Sequence, residues 1–312
     1  MKKLCIYVLV LCSCFSCGEQ KESKMYKAEM VQAKSLLGAD LSVPDRSEAQ
    51  EKQLSDNLNE AQSNFDQEAS EMNTIWLGRR HAYLYDYKKA IEVFTEGIEA
   101  YPNSYKLYRH RGHRYISIRQ FDKAISDYEK AYQLMTKNTT EIEPDGAPNK
   151  LNIPLSNTQF NILYHYGLAH YLKGEFEKAE AIYKECLEYS DNTDLVVATT
   201  DWLYMTLQRQ GKTEEAATLL ATIDSSMEII ENDSYLKRLF MYKGEIAPEE
   251  VLKASGDDAA LSLATQGYGV GNWYLYQNDT VKAKEIFENV VKGTSWSAFG
   301  YIASEADLVN LK

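Results

Sequence analysis

Small and aromatic side chains recur along this chain at the spacing of one helix face. Ala90, Phe94 and Gly97 follow one another at intervals of four and three residues, so all three lie on the same side of a helix. That helix is expected to end at Tyr101, because a residue that precedes proline, here Pro102, is pushed out of the helical region. The pattern predicts an amphipathic helix whose small side chains allow a neighbouring helix to approach closely.

This helix belongs to a unit that recurs after 34 residues. Gly78 and Gly112 are separated by that period of 34, and so are Ala90 and Ala124. Three later copies keep the internal spacing, one of them weakened because a tyrosine replaces its first small residue. The copies are Gly167, Ala179, Tyr183 and Cys186; Tyr204, Ala216, Leu220 and Ile223; and Gly271, Ala283, Phe287 and Val290. Such a period predicts one helix-turn-helix unit that is built several times.

Residues 74–103, TIWLGRRHAYLYDYKKAIEVFTEGIEAYPN, resemble the tetratricopeptide repeat. The family's order of tryptophan, leucine, glycine, alanine, phenylalanine and proline is present. Trp76 lies closer to the glycine than is usual in the family, and His81 stands where tyrosine is usual. The resemblance extends over residues 74–291. It implies an all-α fold, a right-handed α-solenoid of helical hairpins with helical caps, in which the first helix of each hairpin lines the concave face.

The repeat and the segments around it divide the chain into eight parts. Residues 17–44 are expected to hold a tether and a short helix, residues 45–73 a capping helix, and residues 294–312 a helix that caps the other end. The remaining parts are a signal peptide at 1–16, repeat copies one and two at 74–136, an inserted loop at 137–157, copies three and four at 158–225, and a divergent hairpin with the last copy at 226–293.

The start of the chain has the features of a bacterial lipoprotein signal peptide. Lys2 and Lys3 precede an apolar run at residues 4–15, which is too short to span a bilayer. Two overlapping stretches resemble the lipoprotein box, in which a small residue precedes an acylated cysteine. Cys17 is the favoured acylation site because a polar segment follows it, and Cys14 is the alternative because a leucine lies upstream. The sequence predicts a lipid anchor in the bacterial envelope, with the outer membrane favoured and its face left open.

Charge and cysteine content exclude several classes of function. The formal net charge is −12, and removal of residues 1–16 makes it −14, since 32 basic and 46 acidic side chains remain. A chain this acidic lacks the positively charged surface that nucleic-acid binding requires, and anionic bilayers repel it. Beyond the leader, Cys186 stands at a core-facing repeat position and is expected to be a buried structural thiol.

A group of basic and aromatic residues departs from this acidic background. The repeat register places six side chains along the concave face: Arg79, Lys106, Arg109, His113, Tyr164 and Tyr171. Because arginine binds carboxylates through two parallel hydrogen bonds, this surface suits an acidic or C-terminal peptide segment. The alternative is that the basic residues of the cluster pair within the repeats, with Asp86, Glu92, Asp122 or Asp127.

An insertion interrupts the repeat beside this surface. Gly112 and Gly167 are 55 residues apart rather than 34, which leaves 21 extra residues. A long loop inside a regular array is either a binding element or a tolerated excursion. Its acidic residues Glu141, Glu143 and Asp145 are positioned to cover the basic surface as a lid.

The sequence carries no phosphate-binding glycine loop, nucleophile elbow, zinc-binding helix or paired cysteines. All five histidines fall in the first helices of repeats, so their placement needs no metal, and no cofactor is expected. We expect a non-enzymatic, lipid-tethered scaffold that binds a protein or peptide, makes no contact with nucleic acid and meets the membrane through its lipid alone. The alternative is a glycan- or small-ligand-binding envelope lipoprotein, which the chain's many aromatic residues keep open.

Overall fold

The computed structural model describes residues 30–146, 148–149, 151–253 and 259–311. Two antiparallel strands, β1 (Val31–Lys34) and β2 (Asp40–Ser42), precede the helices of this part of the chain. The helices are α1 (Glu48–Gln67), α2 (Glu71–Tyr83), α3 (Tyr87–Ala100), α4 (Tyr105–Ser117), α5 (Phe121–Leu134), α6 (Thr158–Leu172), α7 (Phe176–Glu188), α8 (Thr193–Arg209), α9 (Thr213–Leu220), α10 (Asp233–Tyr242), α11 (Pro248–Val251), α12 (Ala259–Tyr276), α13 (Thr280–Val290) and α14 (Phe299–Asn310). Among the described residues, no helix combines the length and the apolar character that crossing a membrane requires.

Consecutive helices pack as hairpins in which a glycine of the first helix meets an aromatic ring of the second. A Cβ atom at Gly167 would lie 2.8 Å from the ring of Tyr183, and one at Gly271 would lie 2.5 Å from Phe287. Real side chains do not approach that closely, so any larger residue would push the two helices apart. The predicted α-solenoid of helical hairpins is confirmed, although the chain is not purely α-helical because of β1 and β2.

The N-terminal segment differs from its prediction. The sequence predicts a short helix within residues 17–44, whereas the described part, residues 30–44, contains the two strands and no helix. Leu41 of β2 is buried against the first hairpin, and the backbone nitrogen of Lys88 in α3 donates to the Gln32 side chain at 3.2 Å. A short helix is marginal without tertiary support, so pairing and docking on α3 determine the conformation here.

Helix α1 begins and ends at recognisable signals. The Ser47 side chain accepts from the Gln50 backbone nitrogen at 3.3 Å, and the Gln50 side chain accepts from the Ser47 backbone nitrogen at 3.1 Å. This capping box fixes the first turn. The sequence predicts a single capping helix for residues 45–73, but α1 ends at Gln67 and Ser70 caps the start of α2.

A residue with left-handed backbone conformation stands at each of six hairpin turns. Four of them are glycine or asparagine, which reach this conformation readily: Gly174, Gly211, Gly244 and Asn278. The first two turns instead hold Tyr85 and Arg119, with φ angles of 62° and 64°. A larger side chain at such a position costs about 1–2 kcal/mol, so other contacts must hold both residues in place.

Those contacts come from the C-terminal end of the chain, which returns to the first two hairpins. The Arg119 guanidinium donates to both carboxylate oxygens of Glu305 in α14, at 2.9 Å and 3.0 Å, and to the Trp296 carbonyl oxygen at 2.7 Å. The Arg119 and Glu305 side chains are 3% and 0% exposed, so water is excluded from the pair. Glu305 also accepts a 3.3 Å hydrogen bond from the backbone nitrogen of Leu36.

Trp296 also connects the C-terminal part of the chain to β2 and to the first hairpin. Its indole nitrogen donates to the Ser42 carbonyl oxygen at 2.7 Å. Its ring packs edge-on against Tyr85 and Tyr87, with centroids 5.3 Å and 5.4 Å away. The Tyr85 hydroxyl accepts a 3.3 Å hydrogen bond from Ser297. The array of hairpins is therefore closed on itself rather than open at both ends.

Helix α14 is more than the end cap that the sequence predicts for residues 294–312. It packs against α12 and α13 of the last hairpin, but it also contacts α6 in the middle of the array. Asp307 accepts hydrogen bonds from Arg209 at 2.8 Å and from the Tyr268 hydroxyl at 3.1 Å. Phe299, the first residue of the helix, has its ring 5.4 Å from that of His113 on α4. The helix thus fills part of the concave side.

We expect Arg119→Gly to destabilise the protein although it relieves strain at the turn. It leaves Glu305 buried without its cation, which costs about 3–5 kcal/mol, against about 1–2 kcal/mol recovered at the left-handed position. Urea unfolding measures the change in unfolding free energy. The matched control is Asn278→Gly, at the exposed equivalent turn of the last hairpin, with an expected change below about 0.5 kcal/mol. Equal midpoints for the two variants would contradict a closed array.

Candidate functional site

The inserted loop lies over the basic residues of α4. Glu143 forms an ion pair with Arg109 at 3.0 Å, and Glu141 forms another with Lys106. The Tyr105 hydroxyl donates to Glu141 at 2.7 Å. Arg109 and Glu143 are 7% and 8% exposed, so their pair is shielded from water, whereas the Lys106 pair is more open. Two acidic side chains of the loop thus cover two of the predicted site residues.

Arg79 on α2 holds the same loop by its backbone. Its Nη1 donates to the Pro144 carbonyl oxygen at 2.8 Å, and its Nη2 donates to the Tyr83 hydroxyl at 3.0 Å. The guanidinium lies 4.4 Å from the ring centre of Trp76, a cation–π contact. A Cβ atom at Gly146 would collide with the Tyr83 hydroxyl. Arg79 therefore binds main chain, and the loop passes too close to it for a larger residue.

Hydrogen bonding sets the ionisation state of this contact. Burial raises the pKa of Glu141, but hydrogen bonds from Lys106 and Tyr105 outweigh that effect and lower the pKa below the usual 4.5. Burial and the neighbouring carboxylate raise the pKa of Tyr105 to about 12. At neutral pH the two groups are a carboxylate and a neutral phenol, which are the forms that bind each other.

Main-chain hydrogen bonds fix the ends of the inserted loop. Ile142 and Asn157 form an antiparallel bridge, and the backbone nitrogen of Glu143 donates to the Ser156 carbonyl oxygen at 3.0 Å. The apolar side chains of the loop contribute little buried surface, since Ile142 and Leu151 are 66% and 61% exposed. Polar contacts with α2 and α4 therefore hold the loop, rather than burial of apolar surface.

His113 and Tyr164 lie on the concave side but contact the chain's own residues. The His113 ring centre is 4.5 Å from that of His165 and 5.4 Å from that of Phe299. Tyr164 is 5% exposed, and its hydroxyl donates to the Tyr235 hydroxyl of α10 at 3.1 Å. In the closed array these two predicted site residues face an interior rather than an open groove.

Tyr171 does not face the groove at all. It is 4% exposed, its hydroxyl lies 2.7 Å from that of Tyr268 in α12, and its ring packs edge-on against Trp202 of α8 at 5.1 Å. Burial raises its pKa to about 12. Nearly every residue of α6 is buried, so the repeat register, which assumes one open face per first helix, misplaces this side chain.

Arg111, in the basic cluster on α4, pairs with an acidic residue of the repeats, as the alternative prediction states. Arg111 donates from Nε and Nη2 to the two oxygens of Asp127, at 2.8 Å and 2.7 Å. Its Nη1 donates to Thr95 of α3 at 3.1 Å. Arg111 therefore ties α4 to its neighbouring helices, whereas Arg79 and Arg109 face the inserted loop.

A cavity at the centre of the closed array is absent from the sequence prediction. It has a volume of about 430 Å³, and its walls include His113, Trp202, Tyr235 and Arg238. A second cavity of about 240 Å³ adjoins it at Tyr235 and Phe299. We call the first cavity the central chamber. The repeat gives no signal for it, because α10 and the segment before α14 lie outside the periodic pattern.

The other histidines and Cys186 have packing roles. Nδ1 of His81 lies 3.6 Å from Asp86 and Nδ1 of His170 lies 2.7 Å from Glu175, at the same turn position of two repeats. Cys186 is buried as predicted, which raises the pKa of its thiol to about 12 and keeps it protonated. In the part of the chain that the structure describes, no three histidine, cysteine or acidic side chains gather as a metal site.

Fold and site together define a helical-repeat protein whose concave face is filled by its own loop and C-terminal helix. Residues 160–193, which span most of α6 and all of α7, match the family model of the tetratricopeptide repeat. The chain therefore contains the tetratricopeptide repeat, and the glycine-to-ring contacts of its other hairpins resemble the one between Gly167 and Tyr183 in the matched segment. No curated protein matches it significantly.

Solved structures similar to this chain share little sequence with it. YrrB, a tetratricopeptide-repeat protein with an unusual peptide-binding site, is 13% identical over 74% of this chain and 91% of its own, with a TM-score of 0.43. A tetratricopeptide-repeat protein from Parabacteroides merdae ATCC 43184 is 15% identical over 82% of this chain and 94% of its own, with a TM-score of 0.48. A chain of Naa15/Naa10 bound to HypK-THB is 15% identical over 78% of this chain and 35% of its own, with a TM-score of 0.37.

We expect the stability of the protein to fall as the pH drops below about 6.5. Burial, reinforced by nearby arginine charges, holds the pKa values of His110, His113 and His165 well below the usual 6.5. The unfolded chain therefore binds protons that the folded state excludes. This linkage removes up to about 1.4 kcal/mol per histidine for each pH unit below 6.5.

Urea unfolding at pH 7.5 and pH 5.5 measures that loss. His165→Gln removes one of these three histidines without adding charge, so the unfolding free energy of the variant should depend less steeply on pH. Carboxylates of the unfolded chain titrate near pH 4 and contribute little in this window. An unfolding free energy that is constant between the two pH values would contradict the assignment of these histidines as buried and neutral.

Proposed function

We propose that this protein is a non-enzymatic tetratricopeptide scaffold that binds an extended acidic segment of a partner protein across Arg79, Lys106 and Arg109. One observation carries the proposal: the inserted loop already occupies this face in the same way. Its carboxylates pair with Lys106 and Arg109, and a main-chain carbonyl oxygen pairs with Arg79. The loop is in effect an intramolecular ligand, and its chemistry defines what a partner must offer.

The nature of the loop contacts supports exchange with a partner. Ile142 and Ile153 are 66% and 47% exposed, so little hydrophobic energy opposes release of the loop. An acidic partner would replace each ion pair and hydrogen bond by one of the same kind, which makes the exchange nearly balanced. The helices that present the basic side chains are already ordered, so binding costs little conformational entropy there.

A non-enzymatic role is supported by the state of the reactive groups. The Cys186 thiol is buried and protonated, and burial keeps His113 and His165 neutral and packed against Phe299. None of these groups is arranged as a nucleophile with its base.

The proposal includes a lipid anchor in the bacterial envelope. Cys17, with Cys14 as the alternative, lies outside the described residues, so the sequence alone supports this part. Twelve residues separate Cys17 from Met30, where the described chain begins. At full extension that stretch reaches no more than about 45 Å, which would hold the scaffold close to its membrane, the outer membrane being favoured.

The anchor is tested by metabolic labelling with radioactive palmitate. The wild-type protein and Cys14→Ala are expected to incorporate label and to remain in the membrane fraction, whereas Cys17→Ala should lose both properties, because it lacks the thiol that is acylated. Loss of label in Cys14→Ala alone would move the site to Cys14. Equal absence of label in all three proteins would contradict a lipid anchor.

The binding face is tested with a labelled peptide that copies the loop, TEIEPDG, residues 140–146. We expect the double variant Glu141→Gln/Glu143→Gln to bind it at least about 10-fold more tightly than the wild type, because the variant loop no longer competes for Lys106 and Arg109. Fluorescence anisotropy measures the affinities. Bound peptide should also raise the melting temperature of the variant, since it restores a partner to the buried Arg109.

Two controls make that result specific. Glu214→Gln/Glu215→Gln removes two exposed acidic side chains from α9, where Glu215 pairs with Lys184 of α7, and should bind the peptide no better than the wild type. The peptide TQIQPDG, which lacks the carboxylates of both glutamates, should bind neither protein. The proposal fails if the loop variant binds both peptides equally or binds neither of them.

A further inference from the structure

The far part of the inserted loop carries apolar side chains that face solvent beside another exposed apolar residue. Leu151 and Ile153 of the loop are 61% and 47% exposed, and Ile230, in the segment before α10, is 41% exposed. The Asn149 side-chain nitrogen lies 2.6 Å from the Ile153 carbonyl oxygen and 2.7 Å from a Glu231 carboxylate oxygen, so the two segments are neighbours. Single exposed apolar residues are ordinary, whereas a group contributed by two segments indicates a contact surface.

Hydrogen bonds hold this part of the loop in one conformation. The Asn149 side-chain oxygen accepts from the backbone nitrogens of Leu151 and Ile153, at 3.0 Å and 3.2 Å. Asn152 lies between them with a left-handed backbone, φ 53°, which asparagine adopts more readily than most residues. The exposed apolar side chains are therefore already positioned, and a partner that covers them would lose little affinity to ordering of the loop.

The segment before α10 is held as firmly as the loop. Asp194 of α8 is 2% exposed and accepts from three consecutive backbone nitrogens, those of residues 230–232, at 3.0 Å, 2.8 Å and 2.8 Å. The turn before α8 joins this segment to the loop, since the Asn192 side chain donates to the Leu155 carbonyl oxygen at 2.8 Å. Both halves of the exposed apolar group thus stand on fixed backbone.

Three acidic side chains border the apolar group. Glu228 and Glu231 are exposed in the segment before α10, and Asp191 is exposed in the turn before α8. Glu231 accepts from the amide of Asn149, and Asp191 accepts from the amides of two asparagines. Amides are neutral, so these contacts leave the carboxylates negatively charged. We call these six side chains the tip surface: Leu151, Ile153, Ile230, Asp191, Glu228 and Glu231.

We propose that the tip surface binds a partner protein through a segment in which apolar and basic side chains stand next to each other. The apolar side chains of that segment cover the apolar group, and its lysine or arginine side chains meet the acidic border. Burial of the apolar group supplies most of the affinity, whereas charge selects the partner, because exposed ion pairs contribute little energy. The same acidic border disfavours an anionic bilayer.

This surface is separate from the face at Arg79, Lys106 and Arg109, for which we propose an acidic segment. The two partners have opposite charge, and the tip surface uses none of those three basic residues. Its test therefore does not depend on the outcome of the test of the basic face, and either proposal can fail without the other.

Three labelled peptides test the chemistry of the partner. Acetyl-GKLKIKG-amide carries both properties, the GKSKSKG peptide lacks the apolar side chains, and the GQLQIQG peptide lacks the charges. In fluorescence anisotropy at low ionic strength, we expect GKLKIKG to bind the wild-type protein at least about 10-fold more tightly than GKSKSKG and at least about 3-fold more tightly than GQLQIQG. No saturable binding of GKLKIKG, or equal binding of GKSKSKG, would overturn the surface. Equal binding of GQLQIQG would overturn the basic character of the partner.

Variants of exposed residues locate the binding. Leu151→Ser/Ile153→Ser should weaken binding of GKLKIKG at least about 10-fold, and Ile230→Ser should weaken it at least about 3-fold. Glu228→Gln/Glu231→Gln should weaken it about 3-fold, while glutamine keeps a side-chain oxygen that accepts hydrogen bonds. All three variants should keep the wild-type melting temperature, because substitution of exposed side chains perturbs the fold little.

Two matched controls carry the same kinds of substitution elsewhere. Val281→Ser removes an apolar side chain that is 82% exposed at the start of α13, and Glu214→Gln/Glu215→Gln removes two exposed charges from α9. Both should bind GKLKIKG as the wild type does. The location would be overturned by equal losses of affinity in the controls and the tip-surface variants, or by wild-type affinity in all the tip-surface variants.

Two further measurements distinguish the other occupants that an exposed apolar group could have. In sedimentation velocity we expect a monomer; a dimer that Ile230→Ser converts into monomers would assign the surface to a second copy of this chain. We also expect the Cys14→Ala/Cys17→Ala protein, which lacks both candidate acylation sites, not to float with phosphatidylcholine vesicles. Flotation that Leu151→Ser/Ile153→Ser abolishes would assign the surface to lipid. Either assignment would overturn the proposal.

Discussion

The ion pair between Arg119 and Glu305 is the contact on which the rest of the structure depends. It joins residues 186 apart in sequence and is closed to water. A buried ion pair adds little net stability, because desolvation offsets most of the attraction, so its effect is mainly on specificity. Only one position of α14 satisfies both carboxylate hydrogen bonds together with the Leu36 amide. Held there, α14 brings Phe299 against His113 and forms one wall of the central chamber.

The same logic explains how an acidic chain carries a basic concave face. Arg109 is almost fully buried, and a buried guanidinium without a counter-ion would be costly. The inserted loop supplies Glu143 as that counter-ion, while Arg79 takes a main-chain oxygen. Both contacts use groups that an external peptide also possesses. The loop therefore stabilises the basic face with the same kinds of interaction that the proposed acidic segment would make.

The repeat could be predicted from sequence because its determinants are local. The closure of the array of hairpins could not be predicted. Gly167 and Tyr183 belong to one hairpin, and their spacing recurs in each copy, so periodicity reveals their contact. Arg119 and Glu305 are related by no periodicity. The available signal is Arg119 itself, at a turn position where later copies carry glycine or asparagine. The prediction that Tyr171 faces the groove is wrong for the same reason, since an open solenoid exposes a face that the closed array buries.

Two arginines of α4 show how the degree of burial decides whether a cation needs a counter-ion. Arg109 has Glu143 within ion-pair distance, so its charge is neutralised without any external ligand. Arg114, five residues further along α4, lies over the ring of Tyr87 and is only partly buried, so water can solvate part of its guanidinium. A cation–π contact and partial hydration are sufficient for this guanidinium, whereas the almost fully buried Arg109 requires a carboxylate. The counter-ion supplied by the inserted loop therefore answers a demand that burial creates at Arg109 and not at every cation of α4.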